Sequence, residues 1–248
     1  MSPNQRTPSS KKTALVTGGS RGIGKAIVSR FKEEGWNVAT CATRASSLTE
    51  SPADLTVECD VANQKQVRAM IDQTVAKFGK IDALVNNAGF SGSNPLSPDS
   101  SDEMWHRIVD INLHGTYYFC KYGAPHIPNG TGHIVNIASV LALKGVPDQT
   151  AYCAAKHAVL GFSRAFSHEM APRKITVNTL CPGWVDTDMG IGRIQAIGMT
   201  VDQVDKTVPL GRLIRPEEIA DFVYFLCTSK AASMITGHPL TIDGGSLV

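Results

Sequence analysis

The stretch Thr17-Gly18-Gly19-Ser20-Arg21-Gly22-Ile23-Gly24 joins a short apolar run, residues 13–17, to an amphipathic segment that begins at Gly22. Gly18 permits a tight turn, Gly22 lets the backbone approach a pyrophosphate, and Gly24 allows a helix to pack closely on a sheet. The positive end of the helix dipole favours an anion at the same place. The stretch therefore predicts a phosphate-binding turn between a strand and a helix, with a glycine-rich turn that binds no ligand as the alternative.

Along the rest of the chain, short apolar runs rich in β-branched residues alternate with longer amphipathic segments. This alternation is typical of βαβ units, in which right-handed crossovers place helices on both faces of a mainly parallel sheet. Gly35 is the expected stop of the first helix. We predict a doubly wound α/β fold of about seven strands. The strands are expected at 13–17, 37–42, 55–59, 81–85, 133–138, 175–180 and 239–242, and the helices at 22–34, 64–78, 101–122, 151–170 and 216–228.

The composition indicates one globular domain. Of the 248 residues, 42% are hydrophobic and 19% are charged, so the chain can bury a large core. We expect residues 13–248 to form this domain and the polar segment 1–12 to be a flexible tail. The weakly periodic segment around 184–208 is expected to be a mobile lid.

Charge and cysteine content argue against several classes of partner. The net charge of +2, without a basic run interleaved with aromatic residues, argues against nucleic acid and membrane surfaces. The six cysteines lack CxxC or Cys/His spacing, which predicts reduced core thiols and no metal site. No window approaches the roughly 20 apolar residues that a membrane span needs, so a cytoplasmic location is expected.

Tyr152 and Lys156 are four residues apart in an expected helix and therefore share one face of it. A tyrosine with its ordinary pKa of about 10 is a poor acid near neutral pH, but an adjacent cation favours the phenolate. Such a pair can therefore transfer protons. Because the same spacing is common on ordinary helix surfaces, its interpretation depends on the motifs that accompany it.

Four further segments accompany the glycine-rich turn and the Tyr152–Lys156 pair. They are Asn86-Asn87-Ala88-Gly89, the pair Asn112 and Ser139, Cys181-Pro182-Gly183 with Thr187, and Asp243-Gly244-Gly245. In this order the segments resemble the motifs of the short-chain dehydrogenase/reductase family over nearly the whole chain. The resemblance implies a single-domain Rossmann-type fold, and it implies that Asn112, Ser139, Tyr152 and Lys156 are a catalytic tetrad.

The resemblance also implies a role for each member of the tetrad. Ser139 would hydrogen-bond the substrate carbonyl oxygen, and Tyr152 would protonate the developing alkoxide or deprotonate the alcohol in reverse. Lys156 would lower the Tyr152 pKa and bind the nicotinamide ribose, and Asn112 would hold a water that links Lys156 to solvent. Taken singly, Ser139 is equally a strand-end hydroxyl, Asn112 a mid-helix irregularity and Lys156 a solvated charge. His157 is expected to be structural because the helix turns it away from the pair.

The expected cofactor is NADP(H). A carboxylate at the end of the second strand would select NAD, but Ala42 occupies that approximate position, and Arg44 and Arg21 offer cations for a 2′-phosphate. Solvated surface charges are the alternative for both arginines. Asp60 is expected to bind the adenine amino group, with a helix cap as its competing role. The full set of expected cofactor residues is Gly18, Ser20, Arg21, Gly22, Ile23, Gly24, Arg44, Asp60, Val61, Asn87, Ala88, Gly89, Tyr152, Lys156, Pro182, Gly183, Val185 and Thr187.

The expected substrate pocket is mostly apolar. This suits a ketone with a hydrophobic or extended acyl portion, and the lack of an obvious anchoring arginine argues against a small 2-keto acid. The length and motifs resemble 3-oxoacyl-acyl-carrier-protein reductases and related ketoreductases, and they also fit broad carbonyl reductases. The pocket residues are Ser139, Leu141, Gln149, Tyr152, Trp184 and Met189.

Three functions remain open from the sequence. The first is NADPH-dependent reduction of a ketone, including a carrier-bound 3-oxoacyl thioester; the second is oxidation of an alcohol, sugar or steroid with NAD(P). The third is dinucleotide sensing without chemistry, which the intact tetrad disfavours. Relatives of this kind usually form homotetramers or homodimers through the helices at 101–122 and 151–170, so a homotetramer is expected.

Overall fold

Seven parallel strands form one sheet in the computed structural model, which describes residues 11–248. The expected tail at 1–12 lies largely outside the described residues. The strands are β1 (Thr13–Thr17), β2 (Asn37–Ala42), β3 (Leu55–Glu58), β4 (Ala83–Asn86), β5 (His133–Ile137), β6 (Thr176–Pro182) and β7 (Pro239–Ile242). Their order across the sheet is β3-β2-β1-β4-β5-β6-β7, and every neighbouring pair is parallel.

Helices cover both faces of the sheet, as the alternating pattern predicts. They are α1 (Gly22–Glu33), α2 (Gln64–Phe78), α3 (Glu103–Val109), α4 (Gly115–Gly123), α5 (Thr150–Met170), α6 (Asp188–Ala196), α7 (Val201–Asp205) and α8 (Pro216–Thr228). On one face, α1 and α8 bury Phe31 and Val223 against the strands. On the other, α2 and α4 bury Met70 and Phe119. The sheet is thus buried on both sides, which explains why its strands are continuous apolar runs.

The strand order reverses between β1 and β4, and the loops that follow these two strands diverge to opposite sides. Such a reversal opens a crevice at the carboxyl ends of the strands, where α/β folds bind their ligands. Here the two strand ends are tied together, because the Thr17 hydroxyl oxygen accepts hydrogen bonds from the backbone N–H groups of Asn87 at 3.0 Å and Ala88 at 2.9 Å. The geometry of the crevice is therefore fixed by the sheet.

The segment expected as one helix at 101–122 is two helices joined by a wide π turn, Asp110–His114. In this turn the Asn112 side-chain amide donates to the Ile108 carbonyl oxygen at 2.8 Å. Single π turns often occur at functional sites.

Four strands differ in their ends from the prediction: β3 and β5 each end one residue earlier, at Glu58 and Ile137, while β6 and β4 end later. β6 ends at Pro182 instead of residue 180, because β7 pairs with Cys181 and Pro182 and extends the ladder. β4 is shifted towards Asn86, which pairs with Asn136 of β5. Both shifts carry strand ends further towards the crevice.

All six cysteines are buried and free, which confirms the prediction of core thiols. Within residues 11–248, no cluster of three or more His, Cys, Asp or Glu side chains could hold a metal ion. The helices of that same range are all too short or too polar to cross a bilayer.

Candidate active site

A cleft of about 940 Å³ runs along the carboxyl ends of the strands, from the glycine-rich turn to Tyr152. Two residues of the predicted site, Arg44 and Asn112, do not line it. The predicted residues that do are Gly18, Ser20, Arg21, Gly22, Ile23, Gly24, Asp60, Val61, Asn87, Ala88, Gly89, Ser139, Leu141, Gln149, Tyr152, Lys156, Pro182, Gly183, Trp184, Val185, Thr187 and Met189. The fold therefore brings the glycine-rich turn and the Tyr152–Lys156 pair into one space.

The glycine-rich turn has the backbone that its sequence predicts. Gly18 and Gly22 have φ angles of +70° and +52°, in the left-handed region that side chains disfavour. A Cβ on Gly24 would lie 2.1 Å from the Gly18 carbonyl oxygen and 2.5 Å from Nδ2 of Asn87. The first turn of α1 therefore rests directly on the preceding loop, and its N-terminal N–H groups face the cleft.

The loop after β4 holds the glycine-rich turn in place. Nδ2 of Asn87 donates to the carbonyl oxygens of Thr17 at 2.9 Å and Gly18 at 3.3 Å. The segment Asn86-Asn87-Ala88-Gly89 thus supports the turn through backbone carbonyls, and its last residues line the cleft beside it.

Ser139, Tyr152 and Lys156 converge at the other end of the cleft. The Ser139 side chain lies beside the Tyr152 hydroxyl group and acts to lower its pKa, and Oγ of Ser139 accepts a hydrogen bond from the Leu141 N–H at 3.1 Å. The Lys156 ammonium lies 5.4 Å from the centre of the Tyr152 ring. It donates to the Ile137 carbonyl oxygen at 3.0 Å and is only 3% exposed. A half-buried phenol and a buried ammonium are therefore held together at the end of β5.

Burial dominates the electrostatics of this pair. It raises the pKa of Tyr152 to about 12, against the opposing hydrogen bond with Ser139. It lowers the pKa of Lys156 to about 8. The expected lowering of the Tyr152 pKa by Lys156 is therefore not what the structure gives, because desolvation of the phenolate is the largest influence on this pKa. Tyr152 carries its proton at neutral pH, which is the form that a general acid requires.

Asn112 lies behind the pair and does not line the cleft. Its Nδ2 donates to the Phe90 carbonyl oxygen at 2.7 Å, and its Oδ1 accepts from the Phe90 N–H at 3.4 Å. A methyl group on Gly89 would lie 3.0 Å from Oδ1 of Asn112 and 3.6 Å from Nζ of Lys156. The two polar groups thus flank the same point beside Gly89, so Asn112 is near Lys156 but out of reach of the cleft.

Comparison with known proteins agrees with these features. The family model described as enoyl-(acyl carrier protein) reductase matches residues 18–246. The 3-oxoacyl-[acyl-carrier-protein] reductase FabG of Chlamydia muridarum is 39% identical over 244 residues, which cover 94% of this chain and 96% of that protein. The chain belongs to the short-chain dehydrogenase/reductase family.

Solved structures of the short-chain dehydrogenase/reductase fold superpose closely on this chain. The ligand-free aldohexose dehydrogenase of Thermoplasma acidophilum is 35% identical with a TM-score of 0.88, covering 96% of this chain and 94% of that one. A variant of actinorhodin polyketide ketoreductase with NADPH is 34% identical with a TM-score of 0.86, covering 95% and 97%. The 3-ketoacyl-(acyl-carrier-protein) reductase of Brucella melitensis with NADH is 30% identical with a TM-score of 0.85, covering 96% and 98%.

Several cleft residues of this short-chain dehydrogenase/reductase were missed by sequence reasoning. The expectation of a pocket without an anchoring arginine is wrong, since Arg107 and Arg193 both line the cleft. The Arg107 guanidinium lies 5.1 Å from the centre of the Phe90 ring. No local spacing marks these arginines, because tertiary packing alone brings α3 and α6 to the cleft. The other lining residues missed include Thr43, Ile111, Lys144, Asp148, Ile197 and Ser246.

The end of the cleft near β2 and β3 differs in detail from the prediction. Thr43 lines it in place of Arg44, whose side chain is exposed. Asp60 lines it as predicted, and its Oδ1 accepts from the Ala62 N–H at 3.0 Å. The competing role of Asp60 as a helix cap is wrong, since Asn63 caps α2.

The depressed pKa of Lys156 gives a testable dependence of stability on pH. Between about pH 8 and its ordinary value of 10.5, the unfolded chain binds a proton at Lys156 that the folded chain lacks, so folding gains stability as pH rises. The Lys156→Met variant lacks this gain. We expect the free energy of unfolding of the wild type, minus that of the variant, to rise on the order of 3 kcal/mol across this window.

Urea unfolding of both proteins at pH 7, 8.5 and 10 measures this difference. Groups that are unchanged by the substitution, such as the nearby thiol of Cys181, titrate in both proteins and largely cancel. A difference that stays constant with pH would show that the ammonium is not desolvated.

Proposed function

We propose that this protein is an NADPH-dependent reductase of ketones, with 3-oxoacyl thioesters as the leading substrate class. One observation carries the proposal: the half-buried, protonated Tyr152 lies beside Ser139 and Lys156, at the far end of the cleft that begins at the glycine-rich turn. A phenol that holds its proton suits reduction, in which a proton must be given to the substrate oxygen.

The cleft fits a dinucleotide with a 2′-phosphate. Its glycine-rich turn presents the N-terminus of α1, and the end of β2 lines it with Ala42 and Thr43 instead of a carboxylate. Arg21, whose exposed guanidinium lies 3.5 Å from the Asp188 carboxylate, lines the same cleft and supplies a cation. Because similar solved structures hold NADPH in one case and NADH in another, the preference for NADPH rests on these residues of this chain.

We assign the dinucleotide to the glycine-rich turn, Asp60 and Val61, and the segments after β4 and β6. When bound, it supplies the hydride. Ser139 donates a hydrogen bond to the substrate carbonyl oxygen and holds it beside Tyr152. Tyr152 donates the proton to that oxygen. Lys156 keeps a positive charge near the phenol, and Asn112 supports the loop at Phe90 behind it.

The substrate half of the cleft supports an extended acyl chain. Met189 of α6 and Ile197, which directly follows α6, line it and expose about two fifths of their surface, at 41% and 40%. We propose that the segment 184–208, which contains α6 and α7, is the lid over this half. A carrier-bound thioester fits an open apolar entrance of this kind.

The loss of NADPH absorbance with a panel of 3-oxoacyl thioesters and simple ketones tests the proposal. We expect turnover of several ketones, with the highest kcat/KM for the thioesters. Faster oxidation of alcohols or sugars than reduction of any ketone would instead favour a dehydrogenase. NADPH binding without turnover of any substrate would favour a sensing protein.

Arg21 is expected to set the preference between the two dinucleotides. The Arg21→Ala variant should bind NADPH about tenfold or more weakly, because a charge-assisted contact to the 2′-phosphate is lost. Binding of NADH should change little. Isothermal titration of both dinucleotides measures the two dissociation constants.

Arg44→Ala is the matched control for Arg21→Ala. Its side chain is also an exposed arginine near this end, but it does not line the cleft. We expect a smaller loss of NADPH affinity than in Arg21→Ala. Equal loss of NADPH and NADH affinity in Arg21→Ala would contradict the assignment.

We also propose that the chain self-associates through the outer face of α4 and α5. Tyr117 is 38% exposed there, and its ring lies 6.2 Å from that of Phe162, which stacks on Phe166 at 5.4 Å. Val159 of α5 is buried within the subunit and does not contribute to this face. Light scattering measures the molar mass, for which a tetramer is expected.

A further inference from the structure

Asp148 has a left-handed backbone, which few residues other than glycine adopt. Its φ angle is +62°, and among the described residues Lys174, with φ of +54°, is the only other non-glycine in this region. Lys174 follows a short helical turn, where such a conformation is common. Asp148 instead lies in the loop before α5, four residues before Tyr152. A left-handed residue at this place persists because its surroundings hold it.

The Asp148 carboxylate joins three separate parts of the cleft wall. Its Oδ1 accepts from the Ser93 hydroxyl group at 2.5 Å, in the loop after β4. Its Oδ2 accepts from Nη1 of Arg193 in α6 at 3.2 Å. Its backbone carbonyl oxygen accepts from the Asn94 N–H at 3.2 Å. One residue thus connects the loop after β4, the loop before α5 and the first helix of the lid.

Neighbouring bonds fasten the two loops to each other but not to the lid. The Ser91 hydroxyl group donates to Oε1 of Gln149 at 2.9 Å, and Nε2 of Gln149 donates to the Gly92 carbonyl oxygen at 3.0 Å. Gln149, predicted to face the substrate, is therefore occupied in holding the loops. The ion pair between Asp148 and Arg193 connects α6 to these two loops.

The two ends of the cleft hold α6 differently. At the cofactor end, Arg21 and Asp188 form an ion pair of 3.5 Å whose side chains are 72% and 78% exposed. At the substrate end, the side chains of Arg193 and Asp148 are only 19% and 36% exposed. Because water screens an ion pair less when it is partly covered, the substrate-end pair restrains α6 more strongly.

We propose that Asp148 and Arg193 form a latch that holds α6 over the substrate half of the cleft and so tunes the affinity for the ketone. Asp148 acts in this scheme as a positioning residue and takes no part in proton transfer. The inference rests on the proposed function only for the identity of the ligand, because closure of α6 by the latch is a property of the unliganded protein.

Two readouts test the latch, amide hydrogen exchange of residues 188–196 without ligand and the steady-state kinetics of the ketone. In Asp148→Asn and in Arg193→Gln we expect faster exchange of α6 and a KM higher by roughly three- to fivefold, with kcat and NADPH affinity nearly unchanged. The double variant should be no worse than either single one, since both remove the same bond. Effects that multiply in the double variant would overturn the proposal.

Two further variants separate the latch from other causes. Asp148→Gly keeps the left-handed backbone but lacks the carboxylate, so it should behave like Asp148→Asn; wild-type exchange and KM in this variant would show that only the backbone matters. Asp221→Asn breaks an ion pair of 2.7 Å with Arg30 between α1 and α8 and should leave both readouts unchanged. If no ketone is turned over, the proposed function fails, while the exchange data still decide whether the latch exists.

Discussion

Replacement of Tyr152 by phenylalanine is expected to lower kcat for ketone reduction by about two to four orders of magnitude, the usual contribution of a general acid. The phenol keeps its proton, so its removal takes away the group that the mechanism assigns to protonate the substrate oxygen. NADPH affinity and the melting temperature should change little, because phenylalanine retains the ring. Single-turnover kinetics at saturating NADPH measure the chemical step directly.

The matched control for this substitution is Tyr224→Phe. It also removes one tyrosine hydroxyl group, which donates to Oε2 of Glu34 at 3.2 Å on the outside of α1 and α8. We expect kcat of this control to equal that of the wild type. Undiminished turnover in Tyr152→Phe would contradict the mechanism, and a parallel loss of NADPH affinity would show that the hydroxyl group has a structural role instead.

The second large effect is expected for Gly24→Ala. The added methyl carbon would lie 2.1 Å from the Gly18 carbonyl oxygen, a backbone atom that cannot rotate away. Overpacking of this kind costs about 1–3 kcal/mol and displaces the backbone. We expect the melting temperature to fall by about 5–10 °C and NADPH binding to be lost, because the turn that holds the phosphates must open.

Gly192→Ala controls for the substitution of a helical glycine by alanine. Gly192 lies in α6, and a Cβ there would meet no heavy atom within 4 Å. Alanine favours helix by up to about 1 kcal/mol over glycine, so the melting temperature should stay or rise. Thermal unfolding and titration with NADPH compare the two variants. A Gly24→Ala protein with wild-type melting and affinity would contradict the close approach of α1 to the turn.

The fold could be predicted because its signals are local. Strands buried on both faces, such as β1 and β4, are apolar runs, and the helices between them have an apolar stripe. The glycine motif is likewise a local signal, because Gly18, Gly22 and Gly24 all lie in one short turn of the backbone. For the same reason the sequence indicates which segments meet at the carboxyl edge of the sheet.

The features that the sequence did not predict depend on contacts between distant segments or on burial. Arg193 and Asp148 are 45 residues apart in the chain and meet only because α6 folds over the loop before α5. The pKa of Tyr152 follows from desolvation, which no spacing reveals, and so its direction was predicted wrongly. After β2, the cleft is lined by Thr43 and not by Arg44. A sequence pattern locates the end of a strand only to within a few residues, so it does not distinguish these two neighbours.

The wide turn at Asp110–His114 has a consequence for attempts to stabilise this protein. Removal of one residue from it would give a regular helix, which favours the folded state locally. The same deletion would rotate α4 by about 100° relative to α3 and take the Asn112 amide away from Phe90. It would also turn the buried Phe119 of α4 out of the core, so the wide turn is needed for the packing of α4 as well as for the position of Asn112.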